Sequence, residues 1–184
     1  MPRIAWLLAG IAGIATIVGA EDIAQRLNGD DIAVLEGVIR DDCADPKREP
    51  IMVADEPESP YPKTLTDERL ERAYGATLRS RSSERTRWPI QALCKTVRVE
   101  SSARIRNFFA KDKRIPAGWE GFEAEFGAKT YLTISRPAYS VDRRRALVSL
   151  GSHCGELCGS GHLIELEKTS TGWHAVRVVS TWIS

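Results

Sequence analysis

The spacing of apolar residues changes near residue 130: upstream they recur every three or four positions, downstream every two. "NGDDIAVLEGVIRDDC" sets Ile32, Leu35 and Ile39 at helical spacing behind an Asn/Asp-rich start, which predicts a short helix ending near Cys43. "ADPKREPIMVADEPESPYPK" then places five prolines in residues 46 to 62, predicting an exposed Pro-rich loop over 44–63 with at most a short edge strand at Ile51 to Val53. In "TLTDERLERAYGATLRSRSSER", Thr66 is the predicted N-cap of a helix from about 67 to 80, with acids in its first turn. Pro89 interrupts before "IQALCKTVRVE", which suits a strand or a helix. "SSARIRNFFAKDKR" puts Ile105, Phe108 and Phe109 on one helical face behind serine caps. Trp119, Phe122 and Phe126 recur at i, i+3 and i+7, the spacing of a core stripe.

Beyond residue 130, "TYLTISR", "RRRALVSL", "HLIELEK" and "WHAVRVVSTW" alternate as strands do. If Gly155-Glu156-Leu157 is a hairpin loop, Cys154 faces Cys158. Counting back then pairs Ser152 with Ser160, Leu150 with His162, Val148 with Ile164 and Ala146 with Leu166. One face becomes apolar, and the other pairs Arg145 with Glu167 as opposite charges, with Glu165 and Glu167 reading as solvent-facing. Across "TSTGW" the same count brings Val176 beside Leu166 and Val178 beside Ile164, while Leu132 and Ile134 extend the face on the other side. The expected fold is α+β: a C-terminal four-stranded antiparallel meander with one face covered by N-terminal helices. Ser180 and Trp182 fall at the cysteine end of that sheet.

The N-terminus adds a location. "MPRIAWLLAGIAGIATIVGA" has one charge, Arg3, an apolar run and a small-residue ending, the layout of a signal peptide over residues 1–20 cleaved before Glu21. The alternative is an uncleaved N-terminal membrane anchor, for which the run is short. Residues 21–184 then form a single domain, periplasmic or secreted.

An oxidising compartment makes disulfides the default for Cys43, Cys94, Cys154 and Cys158. Three pairings are open to four cysteines; the short Gly-Glu-Leu spacer makes Cys154–Cys158 the natural local pair and leaves Cys43 with Cys94. Chain entropy assigns about 2 kcal/mol to the small loop and about 4 kcal/mol to the large one. A zinc site from His153, Cys154, Cys158 and His162 has suitable ligand types, but adjacent strand residues such as His153 and Cys154 point to opposite faces. A redox pair would call for Cys-x-x-Cys at a helix N-terminus, and here three residues intervene between strands.

The C-terminal third, "ALVSLGSHCGELCGSGHLIELEKTSTGWHAVRVVSTWIS", resembles an uncharacterised group of bacterial exported proteins and lipoproteins that share a Cys-Gly-x-Leu-Cys-Gly-x-Gly hairpin, a Leu-Glu-Lys strand, a Gly-x-Trp turn and a terminal Trp-x-Ser. The matching positions are Cys154, Gly155, Leu157, Cys158, Gly159, Gly161, Leu166, Glu167, Lys168, Trp173, Trp182 and Ser184, within a likeness spanning roughly 119–184. The resemblance implies fold and location and brings no catalytic residue with it.

Charge is balanced in total but not along the chain. Residues 21–68 carry 14 acids and 5 bases, and residues 69–114 carry 4 acids and 13 bases. The two segments are expected to pack together and neutralise each other. The competing expectation is that Arg79, Arg81, Arg85, Arg87, Arg98, Arg104 and Arg106 present a basic face in segment 69–114 to an anionic envelope component; the neutral balance of the exported chain argues against nucleic acid.

The remaining chemistry is thin. His162 falls on the apolar face, where a hydrogen bond to Ser180 is expected to satisfy it, and His153 and His162 are the weak candidates for a site near the cysteine turn. "GSG" at 159–161 lacks the first glycine of a nucleophile elbow, and "GAKT" at 127–130 lacks the adjacent Gly-Lys of a phosphate loop. No catalytic residue, metal site or cofactor is assigned. The sequence favours an exported, disulfide-stabilised binding or structural module over its alternative, an envelope enzyme with an acid-base histidine.

Overall fold

The apolar periodicity around Ile32 produces helix α1 (Gly29–Val38), followed after one residue by a short helix α2 (Arg40–Ala44). The structure, a computed structural model, describes residues 29–56, 65, 67–81, 87–89, 93–111, 115–155 and 157–183. The expected signal segment, most of the second half of the Pro-rich loop, Thr66, Arg85, Glu156 and Ser184 lie outside the described residues. No helix among the described residues is long and apolar enough to cross a membrane.

The α+β class holds, but the sheet is larger than a four-stranded meander. Seven strands form it: β1 (Ile51–Ala54), β2 (Val97–Glu100), β3 (Thr130–Ile134), β4 (Ala138–Tyr139), β5 (Arg145–His153), β6 (Ser160–Thr169) and β7 (Gly172–Ile183). Their order is β2-β1-β3-β5-β6-β7, and β4 continues the line of β3 along β5. The meander β3-β5-β6-β7 is antiparallel as expected, whereas β1 pairs parallel with both β2 and β3.

The Ile51–Val53 segment is therefore not an edge strand. It lies inside the sheet with Met52 and Val53 fully buried, because Pro50 precedes the four paired residues and costs no ladder hydrogen bond. Parallel neighbours need crossovers, and the helices supply them. Helix α3 (Glu68–Arg81) lies between β1 and β2 in the chain, and the pair α4 (Ser102–Lys111) and α5 (Ile115–Phe126) lies between β2 and β3.

Both faces of the sheet are covered, not one. Val34, Leu35 and Ile39 of the α1 region pack with Trp88 and Trp173 on the face carrying Val53, Leu132, Ile134, Val148, Ile164 and Leu166. On the opposite face, Leu70, Tyr74 and Leu78 of α3 meet Ala138, Leu147 and Leu163, and Ile105, Phe122 and Phe126 meet Met52 and Ala54. The second face escapes the sequence pattern because its strands contribute polar residues, Thr133, Ser149 and Glu165, that are themselves buried.

Glu165 is the clearest of these. Expected to face solvent, it is 2% exposed and accepts hydrogen bonds from Arg69 Nη2 at 2.9 Å and Tyr74 Oη at 2.8 Å, with Arg145 Nη1 at 3.4 Å. A buried carboxylate with three such donors is compensated for its lost hydration. Arg145 reaches Glu167 only at 3.9 Å.

The β5–β6 register is the one counted from the cysteine turn, from Arg145 opposite Glu167 to Ser152 opposite Ser160. Gly155 takes φ +151° in that turn, a conformation that a side chain would disfavour, and Gly161 lies so close under the Trp182 indole that a Cβ there would overlap it. On β7, Val178 stands opposite Ile164 as expected, but Ala175 rather than Val176 stands opposite Leu166. A register shift between Glu165 and Leu166 inserts one extra residue on β7, the arrangement of a β-bulge. The α3 N-cap is also corrected: Asp67 Oδ1 accepts from the backbone N–H groups of Arg69 at 2.9 Å and Leu70 at 3.1 Å.

Candidate functional site

Alternation puts residues 150, 152, 160 and 162 on the face covered by α1, in line with the apolar core residues Val148 and Ile164. Toward the cysteine turn the row becomes polar: Ser152, Ser160 and His162. There α2 ends at Ala44, and the chain turns away through residues 45–50 into β1. A cleft of about 510 Å³ opens between this turn and the sheet. Ile51, Leu132 and Leu150 form an apolar part of its floor, Thr130, Ser152, Ser160 and His162 a polar part, and Asp42, Arg48, Glu49 and Pro50 its other wall.

Each wall carries a disulfide. Cys43, next to Asp42, is bonded to Cys94, and Cys154 is bonded to Cys158 beyond Ser152 and Ser160. Thr96 Oγ1 also donates to the Asp42 carbonyl at 2.7 Å, so α2 is tied to the β2 approach by a covalent and a hydrogen bond. Asp45 Oδ1 accepts from Lys47 N at 2.9 Å, and its carbonyl accepts from Arg48 N at 3.1 Å, which aims Arg48 back toward Asp42.

Charges in the cleft are paired across its wall. Arg48 Nη1 stands 3.0 Å from Asp42 Oδ1, and Lys129 Nζ 2.7 Å from Glu49 Oε1. Burial raises the Asp42 carboxyl above its ordinary range, against the pull of the Arg48 guanidinium.

His162 is half-buried at the cleft floor and bonded at both ring nitrogens: Nε2 is 3.1 Å from Ser160 Oγ and Nδ1 is 3.3 Å from Ser180 Oγ. The Ser180 bond is the one expected from the sequence, but the ring faces a cavity rather than a closed core. His153 lies on the other face of the sheet, stacked on Tyr131 at 4.6 Å and 6.0 Å from the Trp182 ring. Tyr131 in turn stacks on Trp119 at 6.0 Å. The fold thus separates the two candidate histidines. His174 is elsewhere again, with Arg40 Nη1 2.9 Å from its ring. Among the described residues no group of three or more His, Cys, Asp or Glu side chains is placed to hold a metal ion.

The described arginines of the basic segment are ion-paired or hydrogen-bonded, Arg81 in the interior and Arg79, Arg87, Arg98, Arg104 and Arg106 at the surface. Arg81 meets Asp31 at 3.3 Å, Arg87 meets Asp55 at 3.2 Å and Glu56 at 2.6 Å, and Arg106 also bonds Glu56. These are contacts between the basic and acidic segments. Arg79 pairs with Glu71, Arg104 with Glu100 and Glu125, and Arg98 donates to the Phe126 carbonyl. Asp31, fully buried, also accepts from Arg136 Nη2 at 2.6 Å and Tyr139 Oη at 2.8 Å. Burial and the Asp31 carboxylate both hold the Tyr139 hydroxyl protonated well beyond its ordinary range.

Sequence reasoning located His162 and its Ser180 partner but missed both Ser160 as a second partner and the opposing wall, because Asp42, Arg48 and Glu49 lie in what reads as an exposed loop. Asp31 and Glu165 carried no signal beyond an ordinary helix start and strand alternation. No protein-family model, curated protein or solved structure matches this chain.

Proposed function

We propose that this chain is an exported, disulfide-stabilised binding module that takes a small polar ligand in the cleft between the 45–50 turn and strands β1, β3, β5 and β6. One observation carries the reading: a cleft of about 510 Å³ whose two walls each end in a disulfide. That volume is in the range of small-molecule sites, and an apolar floor with a few convergent polar groups is their usual lining. Covalent ties on both walls keep the cleft open without a ligand, which lowers the ordering cost of binding. Export is supported by the signal-like N-terminus, by the use of all four cysteines in disulfides and by the likeness to exported bacterial proteins in the C-terminal third. The ion pairs that Arg81, Arg87 and Arg106 make with Asp31, Asp55 and Glu56 of the acidic segment offset part of the basic charge, which favours a small molecule over an anionic polymer as the partner.

Two measurements test this. Residues 1–28 fused to a reporter active only outside the cytoplasm should give signal, with cleavage after Ala20 seen by intact mass; retention in the cytoplasm refutes export. A library of small polar fragments, read by backbone amide shifts, should move Leu150, Ser152, Ser160 and His162 together. Leu150→Trp, which fills the floor, should abolish those shifts, and a library that leaves the four residues unmoved refutes the binding site.

A further inference from the structure

We propose that the cleft is also an acyl-transfer site, in which Ser160 is the nucleophile, His162 the general base and Ser180 a positioning residue, acting on activated carboxylic esters. The inference rests on the cleft being a ligand site and adds the chemical class of what enters it.

The geometry is that of an activated hydroxyl. Ser160 Oγ lies 3.1 Å from His162 Nε2, within the reach a proton transfer requires. The second nitrogen, Nδ1, lies 3.3 Å from Ser180 Oγ. With the ring proton on Nδ1 and donated to Ser180, Nε2 is left as the acceptor of the Ser160 hydroxyl proton, which is the tautomer a general base needs. Backbone pairing holds the three residues in place: Ser160 and His162 share a face of β6 two positions apart, and Ser180 is the cross-strand partner of His162 on β7. Of the two serines bonded to the ring, only Ser160 lines the cleft, so the nucleophile faces the ligand and Ser180 stands behind the base. Ile51, Leu132 and Leu150 offer an apolar bed for an acyl chain beside it.

The reaction balances within these groups. Ser160 Oγ bonds to the carbonyl carbon while its proton passes to His162 Nε2. The bond from that carbon to the ester oxygen then breaks, and His162 returns the proton to the departing alcohol. Water, deprotonated by His162, next attacks the acyl-serine, releasing a carboxylic acid and restoring Ser160. Ser152, the cross-strand partner of Ser160 on β5, lines the same cleft, and its hydroxyl is the donor available to the developing oxyanion. A single side-chain hydroxyl stabilises that charge less than a pair of fixed backbone N–H groups, which confines the site to esters with good leaving groups rather than amides.

The experiment uses the disulfide-bonded chain from Glu21 to Ser184 with p-nitrophenyl acetate at neutral pH. The expected result is release of p-nitrophenolate with an acetyl group mapped to Ser160 by peptide mass. Ser160→Ala and His162→Gln should each lower the rate by about 100-fold, the low end of general-base contributions. Ser180→Ala should lower it about tenfold, a graded loss below that of its base, and Ser180→Thr, which keeps the hydroxyl, should restore it. Thermal unfolding of each variant serves as the folding control, and the acetyl map of the unsubstituted protein needs no variant at all. Acetylation of lysines with Ser160 unmodified, or an unchanged rate in Ser160→Ala, overturns the proposal. If the fragment library still shifts the cleft amides in that case, the binding module stands and only the chemistry is lost; if both are silent, both readings fall.

Discussion

Glu165 and His162 lie three residues apart on β6 and point to opposite faces of the sheet, and their surroundings differ in kind. Glu165 is enclosed by Arg69, Arg145 and Tyr74, each donating toward its carboxylate. His162 is bonded by two serine hydroxyls and looks into an open cleft. The same split separates two aspartates. Burial would raise Asp55, but the Ser102 amide and hydroxyl and the Arg87 guanidinium outweigh it and hold the carboxyl below its ordinary range; at Asp42 burial prevails over Arg48. A polar group wholly surrounded by partners serves the fold, because removing it strands those partners without water. One that faces a cavity keeps capacity for a ligand.

The comparison can be broken by measuring stability. Asp31 is the most enclosed carboxylate, fully buried against the 5%-exposed Arg136. Asp31→Ala should cost about 3–5 kcal/mol in urea unfolding, since it breaks a buried ion pair with Arg136 and removes the acceptor of the buried Tyr139 hydroxyl; a cost under about 1 kcal/mol would mean that the Asp31 cluster does not hold the helix–sheet contact. Replacing both Cys43 and Cys94 by alanine should cost about 4 kcal/mol and also weaken fragment binding, because α2 is one wall of the cleft. Unaltered binding in that variant would detach the cleft from its covalent frame.

Glu165→Ala should cost about 2 kcal/mol, less than Asp31→Ala because Arg69 and Arg145 are partly exposed and can rehydrate. His162→Gln, at the open end of the comparison, should change stability by under about 0.5 kcal/mol while lowering the proposed esterase rate about 100-fold. A large stability loss there would show that His162 is a core residue after all.

The smallest effect is one of pH. A carboxyl whose folded-state value is depressed, as at Asp55, contributes stability that is complete above its unfolded value near 3.8 and is lost as pH falls through the lower folded value. Asp55→Asn should therefore flatten the acid limb of the stability curve below about pH 4. Asp42, raised in the folded state, acts with the opposite sign and at higher pH, between its unfolded value near 3.8 and its raised folded value, so Asp42→Asn should steepen the loss of stability with falling pH in that window; equal slopes in both variants would remove the electrostatic side of the comparison.

The antiparallel half of the sheet was legible because one clasp and strict alternation determine a hairpin. From Cys154 opposite Cys158, every pair back to Arg145 and Glu167 follows by counting. The count failed at Val176, where the β7 bulge adds a residue that alternation alone does not announce. The parallel half was not legible. Strands β1 and β2 are four residues each, too short for a period to emerge, and their pairing depends on crossovers that bring residues about 45 positions apart into register. Prolines around Ile51 suggested an edge, yet they interrupt only the flanks of the strand.

By itself the sequence determined the local terms: helix starts, strand alternation, the cysteine clasp and the placement of His162 beside Ser180. Local periodicity and turn chemistry act between near neighbours, so they can be read without knowing the fold. Tertiary structure alone decided which polar residues became interior. Whether Glu165 meets arginines or water, and whether Arg48 and Asp42 face solvent or line a cleft over β5 and β6, depends on helices and loops brought from far along the chain, and no spacing of residues encodes that desolvation in advance.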